Sequence, residues 1–292
     1  MNEDSGQEQQ KENPIKSELR ESLRERIIKY RMEEADIKDF LEKNPDVPKK
    51  TIEENTIVIL AKIENLREIL EEITPYILKI RQYTPNLLDQ NRFSAVYFLF
   101  GKISQSWRAL FLLAKEGFHY EVMEILRSII EASDLAFLFA KGDDSSTDLK
   151  KWFDGEIVGN SEVRESLGEF INEGLEESGI TFSVKKLGAG IYGALSKYTH
   201  VSYAALLDSF DVYSRDFDFE KRSGFHYTAK SSLQFARGTM SQTIIGLKNF
   251  YMTVGDNDSY KELDLILRKN FPDMYDMNKN RELIKRMNQE YS

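Results

Sequence analysis

Residues 104–141 read SQSWRALFLLAKEGFHYEVMEILRSIIEASDLAFLFAK, and the reading of this stretch decides the fold. Two apolar runs at helical spacing meet at Gly117. A glycine directly after Lys115 and Glu116 suits a left-handed C-terminal cap, and so short a connection makes the two helices pack antiparallel. The first helix starts near Asn91 and carries Phe93, Val96, Tyr97, Phe100, Ile103, Trp107, Leu110 and Phe111. Apolar on most sides, it is expected in the middle of a bundle. The second runs from about His119 to Lys141, and Gly142 closes it. His119 sits at the turn, where exposure is expected.

On the N-terminal side, residues 51–54 (Thr-Ile-Glu-Glu) form a capping-box signature, in which hydroxyl and carboxylate satisfy each other's free backbone N–H groups. The helix that follows repeats Ile57, Leu60, Ile63, Leu66, Leu70, Ile73 and Ile77, a core-facing pattern that Pro75 should kink or shorten. Further out, two prolines in residues 44–50 break an earlier helix that begins at Ser17 and carries Leu19, Leu23, Ile27 and Tyr30. Residues 1–50 hold 13 acidic and 11 basic side chains, so the apolar stripe of this arm is narrow. Such a helix lies on the body's surface or pairs with another chain. Residues 1–16 are polar and read as a disordered tail.

On the C-terminal side, residues 148–180 alternate short helical patterns with five glycines. A further helix follows from about Ser183, with Gly188, Gly190 and Gly193 suited to close approach by a neighbour. Residues 211–227, DVYSRDFDFEKRSGFHY, alternate aromatic with polar residues and contain Ser223-Gly224, the one place where a short β-hairpin fits. A long amphipathic helix covers about 229–254. A second capping box, Ser259-Tyr-Lys-Glu262, starts a short helix that ends before Pro272, and 278–292 read as a polar helical tail. The fold expected is all-α: a bundle of five or six long helices with a charged N-terminal arm. Its parts are the tail at 1–16, the arm at 17–50, the bundle at 51–256 and a C-terminal helical segment at 257–292.

The composition narrows the chemistry. A chain of 292 residues with net charge −9 lacks the overall basic balance of a protein built around phosphate backbones, so charge does not support nucleic-acid binding. With no cysteine, disulfides and thiolate metal sites are excluded. The start lacks the apolar core of a signal peptide, and the longest apolar runs fall far short of the ~20 residues of a membrane span. A cytoplasmic protein without a membrane anchor is the expectation.

Candidate site residues lie on two helices. Around the second arm of the hairpin, Glu124, Arg127, Glu131 and Asp134 fall within about an 80° arc. Such a strip is either the solvated face of an otherwise buried helix or a polar seam inside the bundle, where Arg127 needs its carboxylate partners. Tyr120 and Leu138 share the arc. Further on, Ser196 and His200 are four apart and share a helix face, with Tyr192 and Ser202 beside them. A hydroxyl against a histidine is a weak signal without a nucleophile elbow, and a core histidine bonded to a carboxylate outweighs it. Three histidines with no ligand spacing give no metal site, and no phosphate-cradling loop gives a nucleotide cofactor. Lys221, Arg222 and His226 form a small basic-aromatic cluster, read first as a solvated turn and second as an RNA or anion contact.

At Leu126-Arg127-Ser128-Ile129-Ile130-Glu131-Ala132 and Leu195-Ser196-Lys197-Tyr198-Thr199-His200, the chain resembles a bacterial helical family designated only as a domain of unknown function, number five-six-seven-seven. That family shows an Arg-Ser-φ-φ-Glu helix after a glycine-containing turn, then a Ser-x-x-x-His segment. The similarity covers roughly residues 90–210. The family's bundle in turn looks distantly like the HEPN nucleic-acid-associated domains, many of which cut RNA in toxin and phage-defence systems. Those carry an Arg, four to six residues and then a His on one helix. Here Arg127 and His200 lie on different helices, and Arg222 and His226 have three residues between them.

Two functions are therefore expected. The first is a non-catalytic interaction or regulatory module in which Arg127, Glu131 and His200 form a buried network, with a homo-oligomer or protein partner engaged through the arm. The alternative, implied by the resemblance, is a metal-independent ribonuclease of a stress or phage-defence system. There His200 would be acid or base, Arg127 would stabilise phosphate charge and Glu131 would orient one of them. Asp134, Ser196, Tyr192 and Ser202 would support that site.

Overall fold

Asn91 opens the hairpin: its side-chain oxygen accepts from the Phe93 and Ser94 N–H groups, both at 3.0 Å, satisfying donors that a first helical turn leaves free. The structure is a computed structural model that describes residues 47–84, 86–159, 163–165, 168, 195, 210–211, 216–217 and 227–275. Its helices are α1 (Val47–Lys79), α2 (Arg92–Lys115), α3 (His119–Lys141), α4 (Thr147–Phe153), α5 (Tyr227–Thr253) and α6 (Asn257–Asn270), with single 3-10 turns at Ile80–Tyr83 and Pro272–Tyr275. The fold is all-α. One two-residue ladder pairs Phe210 with Phe217 and Asp211 with Asp216, antiparallel. It overlaps the start of the segment where a hairpin was expected, while Ser223-Gly224 lies outside the described residues.

Gly117 makes the corner between α2 and α3 as its position predicts. With φ at 85°, it lets its own N–H reach the Ala114 carbonyl at 3.2 Å and the Phe118 N–H reach that of Leu113 at 2.9 Å. This double bond pattern satisfies the last carbonyls of α2 and costs a glycine nothing. Gly255 repeats the device between α5 and α6, with φ at 74° and the Asp256 N–H on the Tyr251 carbonyl.

α1, α2, α3 and α5 close around one core. Long side chains carry α2 across to α5: Phe93 meets Phe250 edge-on at 6.0 Å, Phe100 lies against Gly246, and Trp107 Nε1 faces Thr243 Oγ1 at 3.4 Å. Rising numbers on one helix meet falling numbers on the other, so the two run in opposite directions. α3 and α5 run the same way, since His119 pairs with Ser232 and Asp134 with Gln242. α6 lies in the slot between α5 and α1.

Three local readings are corrected. α1 begins at Val47, one turn before the capping-box signature, because Pro48 in a first turn lacks only an N–H that would be unpaired anyway. The helix also passes through Pro75 to Lys79, so the proline does not shorten it. Pro75 and Glu71 are both exposed, so the carbonyl deprived of its partner faces water. Finally, α2 is not the innermost helix: Phe98, Lys102, Gln105, Ala109 and Leu112 form one exposed face. α3 is the more enclosed, with only Glu121 and Ser128 exposed. An apolar run overstated the burial of α2 because solvent accepts scattered large hydrophobics.

Candidate functional site

The polar strip of α3 is the first candidate. Tyr120, Glu124, Arg127, Glu131 and Asp134 are all half-buried and none is exposed, so the strip is a seam rather than a solvated face. Arg127 Nε donates to Glu131 Oε1 at 3.0 Å, with the two side chains 24% and 30% exposed. One turn further, Asp134 Oδ1 accepts from Gln242 Nε2 of α5 at 2.9 Å. Arg127, Glu131 and Asp134 each make further interactions besides these. The helix spacing of the sequence therefore brings Arg127 and Glu131 together as read, and α5 supplies a partner that no motif announced. His200, Ser196, Tyr192, Ser202, Arg222 and His226 lie outside the described residues.

His119 reverses its expectation. It is 3% exposed, and its Nδ1 lies 3.0 Å from the hydroxyl of Ser232, itself fully buried. A signal was present: His119, Met123, Leu126 and Ile130 recur at core spacing, so the histidine belongs to the buried stripe and not to the turn. Both members of this Ser–His pair are closed off from solvent, which removes the access a nucleophile needs.

Comparison with family models, curated proteins and solved structures finds no match to this chain. The resemblance to a helical family thus rests on the motif residues alone.

A second cluster of ionisable groups, absent from the sequence reading, joins α1, α5 and α6 at one corner. Asp256 is the N-cap of α6: Oδ1 accepts from the Ser259 N–H at 3.1 Å and Oδ2 from the Ser259 hydroxyl at 2.9 Å. Two groups converge on Oδ2, Lys79 Nζ from the end of α1 at 2.7 Å and the Tyr83 hydroxyl from the 3-10 turn after it at 3.0 Å. Burial opposes the charge on this carboxyl, but the bonds from Lys79, Ser259 and Tyr83 outweigh it and hold the group well below the usual carboxylate range. Burial, then the bond to Glu262, pushes the Tyr76 phenol up to about 12. Burial also raises Tyr251, whose hydroxyl donates to the Tyr76 carbonyl.

The capping box read at Ser259 is corrected accordingly. Ser259 is the third helical residue and donates to the cap three positions earlier, while Glu262 accepts from Tyr76 at 2.9 Å instead of reaching back. The signal for Asp256 was Gly255-Asp256 before a helical run, a pairing of C-terminal and N-terminal caps. Chemically this corner is a clasp. Its acid is spent on a helix end and an ammonium, and its phenols are held neutral. Among the described residues no group of three carboxylates or histidines stands close enough to hold a metal ion, and no helix is long and apolar enough to cross a membrane.

Proposed function

We propose that this chain is a non-catalytic interaction or regulatory module, with the α3 strip as a structural network rather than an active centre. One observation carries the reading. Arg127, the group that would have to face a phosphate, is ion-paired at 3.0 Å with Glu131 in a half-buried seam, and Asp134 is engaged by Gln242. Turning the guanidinium to a substrate would break this half-buried ion pair, which is costly. The net charge of −9 supports the same reading, because it gives no general attraction for a polyanion. In this reading His200 joins the network, and a partner engages through the amphipathic arm at 17–50.

The test is cleavage of labelled total RNA by the purified full-length protein in EDTA, beside Arg127→Ala and His200→Ala, with thermal melts of all three. The outcome expected is no cleavage, with both variants melting several degrees lower. Cleavage by the wild type that disappears in variants of unchanged melting temperature would install the ribonuclease reading instead.

A further inference from the structure

Among the described residues, the slot between α1 and α5 is filled along only part of its length. α6 puts Leu263, Leu267 and Phe271 into it, all buried. Charged contacts close the rim: Lys248 with Asp264, and Lys269 Nζ with Glu72 Oε1 at 2.5 Å. Arg237 of α5 marks where α6 ends, stacking 4.9 Å over the Phe271 ring and donating to the Asn270 carbonyl at 3.0 Å. The slot continues past that point. The same two walls form a groove of about 700 Å³, with Val58, Ala61 and Leu66 on α1, Leu233 on α5, and Lys62 and Arg237 at its edges. Val58 is 50% exposed, and next to it Ile57 and Leu60 are 66% and 41% exposed. Five consecutive apolar residues at 57–61, four of them exposed, exceed what the four-helix core uses.

We propose that residues 276–292 of the same chain dock in this groove as an amphipathic helix, continuing the line of α6. Position argues for it first. α6 runs against α1 and α5, its last turn lies level with Glu72, and Phe271 sits under Arg237, which also lines the groove, so α6 carries the chain toward the groove. Length agrees: 17 residues at ~1.5 Å per residue give about 25 Å, and the wall from Leu66 to Val58 needs about 12 Å. The sequence fits as well. On a helical wheel Leu283, Ile284, Met287 and Tyr291 fall within about 100°, while Lys279, Arg281, Glu282, Lys285 and Arg286 fall outside that arc. The N-terminal arm is the weaker occupant, since it reaches Ala61 only by reversing before Val47 and running back along α1.

The absence of cysteine makes the test clean. In the full-length chain, Ala61→Cys is combined with single cysteines at each position from 280 to 291, and with Ile27→Cys for the arm. Disulfide formation in dilute protein is followed by mass and non-reducing mobility. The expected result is closure within one chain, recurring every three to four positions, about tenfold faster on the Leu283, Ile284 and Met287 face than at Lys285 or Arg286. No closure from 280 to 291, closure without that period, bonds only between two chains, or faster closure to Ile27 would each overturn the proposal.

Discussion

Asp256 accepts four bonds, from the Ser259 N–H and hydroxyl, the Lys79 ammonium and the Tyr83 hydroxyl. Its folded pKa lies below the unfolded value of about 3.9, so its contribution is present above about pH 4 and is lost as pH falls toward the folded value. Asp256→Asn should keep part of the cap and lose the charge that Lys79 and Tyr83 bond, a cost of about 2 kcal/mol near neutral pH. The gap in melting temperature between wild type and this variant should then hold from pH 6 to about pH 4 and narrow as pH falls further to 3. A gap that stays constant over that range would show the carboxylate to be neutral or unpaired.

Within the helices, two glycines of α5 make opposite predictions. A Cβ at Gly238 meets nothing within 4 Å, so Gly238→Ala should add about 0.5–1 kcal/mol of stability from helix propensity alone. A Cβ at Gly246 comes 3.3 Å from Phe100 Cζ, a ring that is 1% exposed, so Gly246→Leu should cost about 2–3 kcal/mol by overpacking. Denaturant midpoints of the two variants measure both. α2, α3 and the corner at Gly117 were legible because local periodicity and a single glycine determine them. The α3 strip was legible as an arc, since 100° per residue places Arg127 over Glu131 in any helix. Its partner Gln242 was not, because it comes from a helix 108 residues away. The same holds for Ser232 against His119, and for Tyr76, Lys79 and Tyr83 around Asp256: each depends on which helices become neighbours. The start of α1 was missed for a different reason, as a proline in a first turn and a proline that breaks a helix look alike in sequence.

Taken whole, the molecule joins antiparallel neighbours through tight corners in two places, α2 to α3 and α5 to α6. The pairing of α3 with α5 is of another kind. Parallel helices cannot be joined by a corner, and the chain between Lys141 and Tyr227 must return to the end where α3 began. In kinetic terms this divides the fold into an early and a late half. α1, α2 and α3 can assemble through nearby contacts, whereas α5 docks only after a long loop has been closed. Phe111→Leu, in the hairpin, should therefore slow refolding more than it speeds unfolding, while Thr243→Ala, in α5, should chiefly speed unfolding. Chevron plots of the two variants read this directly. Until α5 arrives, Phe93, Phe100 and Trp107 lack the wall that Phe250, Gly246 and Thr243 give them, so among the described residues a nascent chain halted before residue 227 would present an aromatic ridge to whatever is nearby. Shielding that ridge during synthesis is the demand this parallel pair places on the cell.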